Sequence, residues 1–96
     1  MTLEDIEAQA EGQVVALRNL RFGLWAGMRL GLRGERLAGY ARDVMAEDYR
    51  LPGPDDVVGK IAADFEQHGV DFSPSLIAQE MQRIERQVRI ELLATD

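Results

Sequence analysis

The stretch "RFGLWAGMRLGLRGERLAGYA", residues 21–41, sets five glycines and four arginines around the only tryptophan of the chain. Its centre, "GLRG", reads as a turn, because Gly31 and Gly34 can take the positive φ that ends a helix at no steric cost. Upstream of that turn Leu3, Ile6, Ala10, Val14, Leu17, Leu20 or Arg21, Leu24 and Met28 recur at steps of three and four. This periodicity predicts one long first helix over about residues 4–30, with Gly12 as its weak point. Downstream, Leu37, Tyr40, Ala41, Val44, Met45 and Asp48 share one side of a second helix over about 34–50. "LPGPDD", residues 51–56, breaks it. Pro54 suits a first helical turn, and Asp55 and Asp56 complement the positive N-terminal end of a third helix. That helix buries Val57, Val58, Ile61, Ala62 and Phe65 and closes at Gly69. Ser73 as N-cap and Pro74 behind it start a fourth helix that runs to about residue 93 and packs Ile77, Met81, Ile84, Val88 and Leu92. There is no strand pattern and no repeat. The fold class is all-α, a four-helix bundle of up-and-down type or a close variant, with a long N-terminal helix and short connecting turns. Residues 1–15 are expected to form an N-terminal segment, helical or partly disordered, and residues 16–96 the bundle domain. The longest apolar stripes lie on the first and fourth helices, so their contact is expected to dominate stability.

Composition limits what such a bundle can do. Ninety-six residues supply one core and no second one. No cysteine is present, which removes disulfides, thiolate metal ligands and thiol nucleophiles. "MTLEDIEAQAEG" is acidic with no apolar core of a secretory signal, and no run of ~18 uncharged apolar residues could span a membrane, so a cytoplasmic protein without direct membrane insertion is expected. A net charge of −6 argues against nucleic acid as a partner. The charge is banded. Residues 1–17 carry Glu4, Asp5, Glu7 and Glu11 with no base, residues 18–42 hold six arginines against Glu35, and residues 43–80 hold nine acids against Arg50 and Lys60. The arginine band is expected to meet the acidic block of residues 43–80 within the bundle, the alternative being a partner or phosphate site.

Two constellations fall in that band. Gly23, Gly27 and Gly31 form a GxxxGxxxG row, and each glycine inside a soluble helix costs up to about 1 kcal/mol relative to alanine, so the row implies close backbone approach, by a neighbouring helix or else by a ligand or partner surface. Arg18, Arg21, Phe22, Trp25 and Arg29 form an arginine and aromatic ladder at steps of three and four. Two readings of the ladder stand: structural cation–π packing, or an adenine nucleotide (ADP or ATP) stacked on Trp25 with Arg18, Arg21 and Arg29 on its phosphates. Catalytic patterns are lacking. "GPDDVVGKI" has five residues where a phosphate-binding loop has four between its glycines, and Ile61 stands where magnesium would need a hydroxyl. His68, the only histidine, sits at a helix end where it offsets the dipole. Neither an enzyme nor a required cofactor is expected, and the free protein is expected to be a monomer.

"RNLRFGLWAGMRLGLRGERLAGYARDVMAEDY", "GPDDVVGKIAADF" and "GVDFSPSLIAQEMQRI" together resemble the zeta subunit family of alphaproteobacteria, small four-helix inhibitors of the F-type ATP synthase. The likeness spans about residues 16–94, most specifically Arg18-Asn19 ahead of Gly23-Leu24-Trp25-Ala26, the Leu30-Gly31-Leu32 turn, Tyr40-Ala41, and Asp56-Val57 followed by Lys60 and Asp64. The resemblance implies a non-enzymatic regulatory protein that binds the catalytic head and blocks ATP hydrolysis by wedging an N-terminal segment at a catalytic interface. It also implies adenine nucleotide as a regulatory ligand. Against the family pattern the N-terminus is expected to be shortened, without phenylalanine or basic residues, so the anchors of a wedge reduce to Leu3 and Ile6. The alternative expectation is a divergent paralogue, a zeta-like adaptor that binds adenine nucleotide or another protein without inhibiting the synthase.

Overall fold

The structure is a computed structural model that describes residues 1–50 and 54–93, with the side chains of residues 1–47 and 56–93. Four helices follow in chain order: α1 (Leu3–Arg29), α2 (Gly34–Arg50), α3 (Pro54–Gln67) and α4 (Pro74–Leu93). No strand occurs among the described residues, and the architecture is the expected all-α four-helix bundle.

Local chemistry sets each boundary. Thr2 caps α1 reciprocally with Asp5: the Asp5 amide donates to Thr2 Oγ1 at 3.2 Å and the Thr2 amide donates to Asp5 Oδ2 at 3.1 Å. At the other end of α1 the Leu32 amide donates to the Gly27 carbonyl at 2.9 Å and the Gly31 amide to Met28 at 3.0 Å, with Gly31 at φ 83°. This is a Schellman closure, which needs a residue free to enter the left-handed region. The same closure ends α3, where Val70 bonds back to Phe65 and Gly69 to Glu66, with Gly69 at φ 68°. α4 opens on Ser73, whose Oγ accepts the Leu76 amide at 3.2 Å, with Pro74 as its first residue.

The core draws on all four helices. Val14, Phe22 and Ala26 of α1, Val44 of α2, Val57, Ile61 and Phe65 of α3, and Ile77, Met81, Ile84 and Val88 of α4 form one buried cluster. The buried stripes expected of α3 and α4 are thus in register, with Val58, Ala62 and Leu92 packed at the margin. Asp48 and Asp55 lie outside the residues whose side chains are described.

The stripe expected of α1 needs correction. Its buried row is Val14, Arg18, Asn19, Phe22, Gly23, Ala26 and Gly27, while Leu3, Ile6 and Met28 are exposed. Apolar letters mislead here because α1 serves two neighbours whose contacts use an arginine, an asparagine and glycines. α1 packs against both α2 and α4, and Gly23 and Gly27 make its approach to α2 close. A Cβ on Gly23 would stand 2.8 Å from Ala41 Cα, and one on Gly27 2.5 Å from Leu37 Cδ1, so the helices approach across bare backbone. Gly31, the third member of the expected row, belongs to the turn and nothing lies within 4 Å of its Cβ position.

Candidate functional site

α1 outruns the bundle. Residues 1–13 are exposed apart from a half-buried Ala10, and the first core residue of the helix is Val14. Roughly eleven residues of helix, about 16 Å at 1.5 Å per residue, therefore form an extension with no neighbour along most of its length. Leu3 and Ile6 lie one turn apart on it, 71% and 50% exposed, among the carboxylates of Glu4, Asp5 and Glu7. An isolated helix of this length is marginal in water, so the capping box at Thr2 and the anchored half of α1 are what maintain it.

A charged chain fastens the base of the extension to α4. Arg89 grips Glu11 with both terminal nitrogens, at 3.0 and 2.7 Å, and its Nε reaches Glu85 at 3.4 Å. Glu85 in turn accepts from Arg18 Nη1 at 2.9 Å, and Arg18 Nε donates to Asn19 Oδ1 at 3.0 Å. The Arg18 hydrogen bond holds the Glu85 carboxyl below its ordinary value, and the Arg89 hydrogen bond does the same for Glu11. Arg89 is correspondingly raised, chiefly by its bond to Glu11.

The ladder residues part company in this setting. Arg18 is 5% exposed and committed to Glu85 and Asn19. Arg21 pairs with Glu91. Trp25 stacks on Phe22 at 5.7 Å, meets Phe72 edge-on at 5.3 Å and lies 5.8 Å from Phe65. Arg29 places its guanidinium 5.0 Å from the Trp25 ring centre and 4.9 Å from that of Phe72. Of the residues expected to hold a nucleotide, Arg18, Arg21, Trp25 and Arg29, only Trp25 and Arg29 are in contact with each other, and Leu3 and Ile6 sit on the extension at the other end of α1 from Arg29. Arg18 and Arg21 meet carboxylates of α4 rather than the acidic block of residues 43–80, since a block's net charge does not say which helix face its acids occupy.

α2 and α3 are joined by their own polar contact. The Tyr40 hydroxyl donates to Asp64 Oδ2 at 2.7 Å, Lys60 Nζ donates to the same oxygen at 3.2 Å, and the ammonium lies 5.3 Å from the Tyr40 ring centre. Burial pushes the phenol well above its ordinary value and the Asp64 carboxylate adds to the effect. His68 Nδ1 lies 2.8 Å from the Asp64 carbonyl at the end of α3, where a ring N–H satisfies a terminal acceptor. No group of three or more metal-ligating side chains occurs among the described residues.

Sequence reading missed Glu11, Glu85, Arg89 and Phe72 as partners. A signal existed for two of them: Glu85 and Arg89 are one turn apart and each directly follows a buried residue, Ile84 or Val88, which places them at the edge of the packed face.

No described helix is long and apolar enough to cross a membrane. Neither the curated proteins nor the solved structures yield a match to this chain. The family model described as ATPase inhibitor subunit zeta does match it, over residues 5–91, from the extension through α4. The chain belongs to the ATPase inhibitor subunit zeta family, a family of regulatory inhibitors.

Proposed function

We propose that the protein restrains ATP hydrolysis by binding the catalytic head of the F-type ATP synthase, with the exposed half of α1 as the inserted segment. The observation that carries this reading is the extension itself: an uncovered helix presenting Leu3 and Ile6 on one turn. A block of this kind needs apolar anchors that desolvate in a pocket and a helix already formed, so that little conformational entropy is lost on binding. Both are supplied, and the inhibitor contributes no covalent chemistry. The test is ATP hydrolysis by an isolated synthase head titrated with the full chain and with the Leu3→Asp/Ile6→Asp variant. The intact chain slows turnover to a plateau, and the double variant loses at least about 2 kcal/mol of binding, roughly thirtyfold in the half-inhibiting concentration. Equal inhibition by both proteins would remove the extension from the mechanism; none by either would remove the synthase head.

A second reading, binding of adenine nucleotide, is favoured by Arg29, which is exposed and has no carboxylate partner among the described residues. The Trp25 ring already meets three aromatic neighbours and Arg29, so a phosphate would engage Arg29 at the rim instead of an adenine stacking on the indole. Titration of Trp25 fluorescence with ADP, in the native chain and in Arg29→Gln, decides this.

A further inference from the structure

α4 carries a second stripe opposite its buried one. Leu76, Gln79, Arg83, Arg86, Ile90 and Leu93 recur at steps of three and four, and all of them are exposed. Leu76 is 48%, Ile90 60% and Leu93 70% exposed. The row spans about 25 Å along the helix. Towards its N-terminal end a shallow cleft of about 350 Å³ is lined by Phe72 and Leu76 together with Gln79, Glu80, Gln82, Arg83 and Arg86. Glu80 steadies Arg83 through Nε at 3.0 Å, whereas Arg86 has no ion pair among the described residues. The stripe thus offers apolar contacts at both ends and guanidinium groups between them, on a chain whose net charge is −6.

That order of side chains selects the occupant. A second copy laid antiparallel on this face would set Arg83 and Arg86 against Arg86 and Arg83, and a parallel copy would set each arginine near its own image. Like charges facing each other across an interface oppose association. A segment with carboxylates in the middle and apolar residues at its ends meets every feature of the row. We propose that the outer face of α4 is a docking surface for an acidic amphipathic helix of another protein, its carboxylates on Arg83 and Arg86 and its apolar ends on Leu76 and on Ile90 with Leu93. This surface is separate from the N-terminal extension, and the proposal stands or falls independently of inhibition.

The experiment uses the full chain and a fluorescein-labelled synthetic helical peptide of about 21 residues, long enough to cover the row. The peptide has leucines towards both ends and glutamates on the same face between them; a control peptide has lysines in place of the glutamates. Anisotropy should rise with the acidic peptide and not with the control, and the affinity should fall about tenfold or more in Arg83→Glu/Arg86→Glu. Ile90→Ser should weaken binding, while Leu3→Asp should leave it unchanged. Because the substituted positions are exposed, circular dichroism of every variant should match the native chain. Equal binding of both peptides, no binding of either, or indifference to the arginine reversals would overturn the proposal. Dimerisation of the chain through this face, seen by sedimentation and abolished by Ile90→Ser, would overturn it in favour of a second copy.

Discussion

Gly23→Ala should destabilise the bundle although alanine is the better helix former. In the interior of α1 the substitution gains up to about 1 kcal/mol of helix propensity. Against this, the new methyl would stand 2.8 Å from Ala41 Cα, 3.2 Å from Val44 Cβ and 3.3 Å from Ala41 Cβ. The first of these atoms is backbone, so relief requires α1 and α2 to move apart along their whole contact. Overpacking of this kind costs roughly 1–3 kcal/mol, and the propensity gain reduces this to a net loss centred on about 1 kcal/mol. Gly27→Ala is the internal control. Its methyl meets Leu37 Cδ1 at 2.5 Å and Tyr40 Cδ2 at 3.3 Å, but Leu37 is half-buried and its tip can rotate towards solvent. That variant should fall within about 0.5 kcal/mol of the native chain, whereas Gly27→Leu should lose ~1–3 kcal/mol because the larger group cannot be accommodated by one rotamer change. Urea unfolding followed by circular dichroism reads the differences, and a loss of 1 kcal/mol should lower the Tm by about 4–8 °C in a domain of this size. The reasoning is refuted if Gly23→Ala is as stable as the native chain or if Gly27→Ala is the worse of the two alanine variants.

Ile84→Ala removes a side chain that is 5% exposed at the centre of the α4 stripe and should cost ~2–5 kcal/mol in the same assay; a loss below about 1 kcal/mol would put the residue outside the core. Tyr40→Phe takes away the donor to Asp64 while Lys60 remains on the carboxylate, so about 1 kcal/mol should be lost and not the larger penalty of an abandoned charge. Because the Tyr40 phenol is raised, the unfolded chain loses its proton first, and stability should decline as pH climbs above 10.0, less so in Tyr40→Phe. Glu85 and Glu11 are lowered, so their contribution is complete above the ordinary carboxyl value of 4.5 and is lost as pH falls through the folded-state values. Acid titration of Glu85→Gln should therefore show a shallower decline below pH 4.5 than the native chain, and an identical slope would mean that the Arg18 bond does not persist in solution.

Helix number and helix ends were legible because they depend on local chemistry: Gly31 and Gly69 close helices in the left-handed region, and Ser73 with Pro74 opens one. The periodicities of α3 and α4 were legible because each packs a plain aliphatic stripe. The rotation of α1 was not. Its buried face is written in Arg18, Asn19, Gly23 and Gly27, and its exposed residues include Leu3, Ile6 and Met28. A hydrophobicity pattern inverts the two, and only the position of the neighbouring helices corrects it. The spacing of Leu3 and Ile6 could be read directly, whereas their exposure depends on where the bundle stops. The destinations of Arg18 and Arg21 were hidden for a related reason, since the acids they meet lie in a stretch that is neutral as a whole.

These features of α1 bear on the proposed function through one mechanical point. An inserted segment transmits force to its carrier only if the junction between them is stiff. α1 crosses from extension to bundle without a break, and Gly12, exposed and with nothing within 4 Å of its Cβ position, is the place where it would bend first. Immediately before Gly12 stands Glu11, held by Arg89, and beyond it lie Val14 in the core and Arg18 on Glu85. Arg89 therefore bridges from α4 to the extension side of the weak point, while Val14 and Arg18 fix the other side. The pair Glu11–Arg89 is exposed and contributes little to global stability. Its consequence is directional: it lowers the freedom of the extension before binding, and entropy removed in advance is not lost again when a partner engages. On this argument Arg89→Ala should leave the unfolding midpoint almost unchanged, and Gly12→Ala, which stiffens the helix without meeting any neighbour, should restore part of whatever inhibition Arg89→Ala loses.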